Sequence, residues 1–192
     1  MKMQETAKTK ETRIEEFKTL MCGGVYSHSP IEFNSAIENL DKAGFFTAPA
    51  STKYHGAYEG GLFDHSKLVT EQLVSLTEKL GLKWELKRSP YIIGMFHDLC
   101  KCGQYKRTLD DFVPYSFNKN TILNGHGEKS VIMVQHLLYL RLTQEEIACI
   151  RWHMGAFDEK ENWGYYNYAI SQYPNVLYTH TADMIASAIL GT

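Results

Sequence analysis

Six side chains able to bind metal stand in an ordered series: His65, the adjacent pair His97-Asp98, His126, His153 and Asp183. Successive members lie 27 to 32 residues apart, about one helix plus one connection. Each helix can then bring one ligand to a common point, as metal sites in helical bundles do. The local patterns point the same way. His153 stands one helical turn after Cys149 and Ile150, and Asp183 one turn after His180 and two after Val176, so each shares an apolar helix face. A buried aspartate is costly unless it is paired or binds metal. A cation is the simplest compensation for a buried cluster of this kind.

The ligand types narrow the metal. Imidazole-rich sites favour Mn, Fe, Co, Ni or Zn over Mg or Ca. A carboxylate has two oxygens and can bridge two ions. The expected arrangement is two divalent transition-metal ions, Mn or Fe before Ni, Co or Zn. His65, His97, Asp98 and Asp183 would hold one. His126, His153 and the second oxygen of Asp98 would hold the other. Such a pair makes water a nucleophile near neutral pH and stabilises phosphoryl charge, the chemistry of phosphate-ester hydrolysis. A lone histidine is more often packed or hydrogen-bonded than a ligand, and His28 and His136 are read that way.

The elements that must position these residues follow from periodicity. Residues 1–21 read as a charged helix broken at Met21-Cys22-Gly23-Gly24, and Pro30 opens a short helix ending near Gly44. Between 64 and 80, Val69, Leu73, Leu76 and Leu80 form a helix face that Gly81 stops. Ser89-Pro90 reads as N-cap and first position of a helix carrying His97 and Asp98. Residues 103–125 read as a long loop or hairpin. Glu128 to Leu140 reads as a helix, and Thr143 with Glu146 as a capping box for a helix through about His153. Residues 155–172 read as loop, and Asn175 to Leu190 as the last helix. The expectation is an all-α, single-domain bundle with long loops around a central metal site. Residues 1–44 would pack on a domain spanning 45–192.

The 192 residues, 44% hydrophobic and 22% charged, fit one globular domain with a core. The net charge of -2 gives no electrostatic footprint for long nucleic acid. No apolar run is long enough for a membrane span, and the N-terminus does not read as a secretory signal. The four cysteines, Cys22, Cys100, Cys102 and Cys149, form no C-x-x-C pair. They read as reduced thiols of a cytoplasmic protein.

The ordered set resembles the HD superfamily of metal-dependent phosphohydrolases, whose signature runs His, His-Asp, His, His, Asp. Lys53, Tyr54-His55 and Ala57-Tyr58-Glu59-Gly60-Gly61-Leu62 resemble the segment before the first ligand in bacterial HD-domain 3'-5' exoribonucleases. His97-Asp98-Leu99-Cys100-Lys101 is similar to the family's H-D-[IL]-G-K, with Cys100 in place of glycine. Leu177 to Asp183 is similar to its closing L-H-x-x-D. Around the fourth histidine the run is Trp152-His153-Met154-Gly155, where the exoribonucleases often carry His-His-Gly. Their separate nucleic-acid-binding domain has no room in 192 residues.

The resemblance implies hydrolysis of a nucleotide or short-oligonucleotide phosphate ester, with a small phosphorylated partner and a homo-oligomer left open. Asp98 is the expected catalytic ligand, and Lys101 in H-D-x-x-K is expected to reach a substrate phosphate rather than to be a solvated lysine. His55 is a catalytic and substrate-binding candidate, as phosphate donor or general acid, or a loop histidine. His180 is a substrate-binding candidate that lines the pocket, orients Asp183 or packs in the core. The aromatics Trp163, Tyr165, Tyr166 and Tyr168 are candidates to stack a base or to cover the core. Two other readings share the ligand set: a di-iron oxygenase of the HD fold and a catalytically silent nucleotide-binding protein.

Overall fold

The computed structural model describes residues 8–22, 30–110, 112–123 and 125–190. His28, Gly23 and Gly24 lie outside the described residues, as do positions 1–7 of the first expected helix. Eight α-helices and one small hairpin are present among the described residues. The helices are α1 (Lys10–Cys22), α2 (Pro30–Ala43), α3 (Gly61–Leu80), α4 (Ser89–Phe96), α5 (Gly127–Leu138), α6 (Gln144–Trp152), α7 (Trp163–Gln172) and α8 (Asn175–Leu190). Strands β1 (Tyr105–Arg107) and β2 (Tyr115–Phe117) pair antiparallel, Tyr105 opposite Phe117. The class is all-α, as the periodicities imply. No described helix is long and apolar enough to cross a membrane.

The long helix α3 packs against both α4 and α8, while α6 joins α8 to α5. It stops where Gly81 enters the left-handed region at φ 65°, its N–H capping the Thr77 carbonyl. Two close approaches need glycine. A Cβ on Gly94 of α4 would lie 2.5 Å from the Thr70 Cα of α3, and one on Gly127 of α5 would lie 2.2 Å from the Arg151 carbonyl oxygen of α6. Hydrogen in place of a methyl lets these helix pairs touch backbone to backbone, next to His97 in the first case and His126 in the second.

An aromatic core lies behind His65 and His97. The Phe45 ring sits 5.9 Å from Phe63 of α3 and 6.0 Å from Phe96 of α4. All three rings are fully buried, as are Phe17 and Met21 of α1 and Leu40 of α2. Such ring pairs contribute roughly 0.5–1.5 kcal/mol each beyond their buried area. With Phe96 and Phe63 turned into this core, His97 and His65 follow at fixed positions.

Three local expectations are corrected. Residues 155–172 are not loop: short 3-10 turns at Gly155–Phe157 and Lys160–Asn162 lead into α7. The aromatic run that suggested a loop packs helically, with Ala169 buried and the Tyr166 ring 6.4 Å from Trp152. Ser89 is not a cap but lies within α4, and its hydroxyl donates to the Glu146 carboxylate at 3.1 Å. Helix α4 ends at Phe96, so His97 caps it and Asp98 leads a 3-10 turn over Leu99–Lys101. The capping box on α6 forms as expected. Thr143 Oγ1 accepts from the Glu146 N–H at 3.1 Å, and Glu146 accepts from the Thr143 N–H at 2.9 Å.

Candidate metal centre

The six ordered residues converge. His65 comes from the first turns of α3, His97 from the end of α4, and Asp98 from the 3-10 turn. His126 precedes α5, His153 follows α6, and Asp183 lies within α8. His65, His97 and His153 are fully buried and Asp98 nearly so; the Asp183 and His126 side chains keep 13% and 29% exposure, so the cluster opens on their side.

Asp98 occupies the middle. Its Oδ2 lies 3.6 Å from His65 Nε2 and 3.5 Å from His97 Nε2. Its Oδ1 lies 2.7 Å from His126 Nε2 and 3.5 Å from His153 Nε2. Asp183 Oδ1 approaches His65 Nε2 at 3.1 Å and His97 Nε2 at 3.8 Å. Three sets could hold an ion, with ligand atoms within 4.8 Å of one another: His65, His97 and Asp98; Asp98, His126 and His153; and His97, His153 and Asp183. The first two repeat the division expected from the sequence. The third crosses it, because His97 and His153 are neighbours, ring centroids 4.9 Å apart.

Backbone carbonyls orient the rings. His97 Nδ1 donates to the Gly94 carbonyl at 2.8 Å, and His153 Nδ1 to the Ile150 carbonyl at 2.7 Å. A carbonyl only accepts, so each ring carries a proton on Nδ1 and turns its Nε2 inward. Metal-bound histidines are held in this way. His153 Nε2 is buried and makes no hydrogen bond among the described residues. His97 Nε2 and His65 Nε2 face each other at 3.3 Å. Inward-turned imidazole nitrogens grouped around two carboxylates, one nitrogen orphaned and buried, are what a cation satisfies, so the donor set fits divalent metal.

Charge in the cluster is strongly polarised. Burial raises the Asp98 carboxyl, but Lys101, His97 and His126 outweigh it and hold the pKa well below the usual range. Burial likewise raises Asp183, and His65 and His97 pull it far down. Burial lowers His126, yet its bond to Asp98 lifts it to about 10. Burial pushes His65 and His153 down, toward the neutral form a metal ligand needs.

The remaining candidates take distinct places. Lys101 Nζ pairs with Asp98 Oδ2 at 2.7 Å. His55 is half-buried, its ring 5.1 Å from His65 and its Nε2 3.5 Å from Ser187 Oγ. His180 Nδ1 donates to the His153 carbonyl at 2.7 Å, and its ring fills the space a Cβ on Gly155 would need. His136, read as packed or hydrogen-bonded rather than as a ligand, is exposed and stands outside the cluster.

Residues 62–188 match the family model described as HD domain. The chain belongs to the HD-domain family. This places it in the superfamily of metal-dependent phosphohydrolases, with a buried His/Asp cluster able to hold metal. No curated protein matches the chain, and no solved structure does either.

Three supports of the HD site escape sequence reasoning. Arg13 of α1 is buried and grips Asp64, next to His65, through two bonds of 3.2 and 2.9 Å. The partners are 51 residues apart, and no local pattern links them. Cys100 gives the glycine substitution a role, since its Sγ lies 3.2 Å from His126 Nδ1. Its N–H donates to Ser130 Oγ of α5 at 3.1 Å, tying the 3-10 turn to the helix behind His126.

Proposed function

We propose that this HD-domain protein hydrolyses a phosphate ester of a nucleotide or short oligonucleotide with the help of two divalent ions. The observation that carries the reading is the division of Asp98, whose two oxygens face different histidine sets. His65, His97, Asp98 and Asp183 would hold one ion, and His126, His153 and Asp98 the other, Mn or Fe by ligand type. Bound there, the ions supply an ionised water near neutral pH and a charge clamp for phosphoryl oxygens.

The protein's own groups divide the remaining work. Lys101 neutralises Asp98 and brings a cation to the edge where a phosphate oxygen would lie. Burial first, and then the neighbouring His65 and Lys101, lower the His55 pKa. As a neutral imidazole it serves as a hydrogen-bond donor to a phosphate oxygen more readily than as an acid. His180 acts through the His153 backbone, so we assign it to positioning rather than to substrate contact. We take the substrate to be small, since the chain lacks the net positive charge that long nucleic acid attracts. We divide the chain into an HD domain over 45–192 and packing helices over 1–44.

The test is metal content of the purified protein together with Mn-dependent hydrolysis of a generic phosphodiester and a nucleotide panel. Near two metals per chain, with hydrolysis lost in Asp98→Ala, is the expected result. Two irons with oxygen uptake and no hydrolysis would replace this reading with the oxygenase. Nucleotide binding without metal or turnover would replace it with a silent binding protein.

A further inference from the structure

A groove of about 480 Å3 runs between the loop Ser51–Tyr54 and the hairpin. Small-molecule sites occupy roughly 300–1,000 Å3. Its walls are aromatic on both sides: Tyr54 from the loop, and Tyr105, Tyr115 and Phe117 from the strands. The register sets Tyr105 opposite Phe117 and Arg107 opposite Tyr115, so these side chains share one face of the hairpin. The Tyr105 and Phe117 rings meet edge to face at 6.1 Å. Tyr54 and Phe117 nonetheless remain 72% and 55% exposed. Lys53 lines the same groove, its Nζ 5.6 Å from the Tyr54 ring centroid.

Both walls lead into the candidate metal centre. On one side, Ser51 Oγ donates to the His55 carbonyl at 2.9 Å and accepts from the Tyr54 N–H at 2.8 Å. One turn therefore fixes Tyr54 in the groove and His55 beside His65. On the other side, the Gln104 N–H donates to the Lys101 carbonyl at 3.0 Å. That bond closes the turn that leads from Lys101, the residue paired with Asp98, into β1 at Tyr105. Tyr105 of the groove interacts electrostatically with Lys101 and Asp98, so the groove borders the candidate metal centre.

Exposed rings lining one groove, with a lysine among them, fit a planar heterocycle attached to an anion. Every nucleobase offers a π-face to such rings whatever its sequence. We propose that this groove is a base-binding subsite, in which Tyr54 and Phe117 hold the nucleobase while its phosphate reaches the metal centre. The assignment rests on the phosphohydrolase reading for what happens to the phosphate, not for the binding itself. It takes the role from Trp163, Tyr165 and Tyr168, which lie on α7.

The test reads binding rather than turnover. The full chain with Mn is mixed with 2-aminopurine nucleoside 5'-monophosphate, or with a dinucleotide carrying that base, and fluorescence is followed in the first seconds. Quenching is expected, and ribose 5-phosphate should compete at least about tenfold more weakly. Tyr54→Ala and Phe117→Ala should each weaken binding about tenfold while leaving the unfolding midpoint near wild type, since both side chains are largely exposed. Equal competition by ribose 5-phosphate, or wild-type binding in both variants, would overturn the subsite. Tighter binding of the dinucleotide would identify oligonucleotide as the ligand source, and equal binding a mononucleotide. Quenching without hydrolysis removes the proposed reaction and keeps the groove; hydrolysis without quenching does the reverse.

Discussion

A hydrogen bond of 2.7 Å joins His126 Nε2 to Oδ1 of Asp98, the same carboxylate that pairs with Lys101 through Oδ2. The aspartate is nearly inaccessible, so its charge is balanced only by what surrounds it. An amide of the same shape removes that charge and leaves the histidines without their shared anion. Asp98→Asn should therefore lose bound metal and reduce hydrolysis by at least about 100-fold, more than the loss of an outer partner of a metal ligand causes. Elemental analysis and kinetics on the same preparation check both. Full metal occupancy in the variant would show that Asp98 is not the common ligand.

The Gly94 contact makes a prediction of a different kind. A methyl group at that position would have to occupy space 2.5 Å from the Thr70 Cα, and backbone cannot rotate away as a side chain does. Gly94→Ala raises helix propensity, which by itself would stabilise an exposed helix by about 1 kcal/mol. Here the overpacking dominates, and a net loss of about 1–3 kcal/mol is expected. Denaturant unfolding measures it. Unchanged or increased stability would mean that α3 and α4 can separate without cost, and with them His65 and His97.

The convergence of the His/Asp cluster was legible because its members sit on or beside successive helices, and the connections repeat at nearly constant length. The Thr143 capping box and α8 were legible because their signals are local. What stayed hidden depends on contacts between distant segments. Arg13 reads as one more charge on a weakly amphipathic helix until the fold sets it against Asp64. The aromatic run at 163–168 lacks an apolar stripe of helical period, so it reads as loop; packing of Ala169 and Tyr166 makes α7 a helix. The groove beside the metal centre needs the loop at 51–54 and the hairpin together, which no spacing announces.

The Arg13–Asp64 pair should separate stability from chemistry. Only 4% of the Arg13 side chain and 12% of the Asp64 side chain are exposed. Removing Arg13 takes the closer cation from the largely buried Asp64 and leaves it only Lys8 Nζ at 3.8 Å. Arg13→Ala should cost about 3–5 kcal/mol, whereas replacing both partners by apolar residues should recover much of that loss. Equilibrium unfolding of the two variants decides the matter. A single variant as stable as wild type would mean that α1 is not anchored through this pair.

Asp158 offers a pH test away from the metal cluster. Burial alone raises its pKa, but Arg151 Nη1 at 2.7 Å, Asn162 Nδ2 at 2.9 Å and the Glu159 N–H at 2.7 Å outweigh burial and lower it. A carboxyl with a lower pKa folded than unfolded binds fewer protons in the native state. Its contribution is therefore complete above the unfolded pKa of about 3.9 and is lost as pH falls through the folded value. Asp158→Asn should be less stable than wild type at pH 7, with the gap closing once the pH drops below about 4. Unfolding free energies of both proteins across that range supply the comparison. A gap that stays constant into acid would assign the effect to shape rather than to the ionised carboxylate.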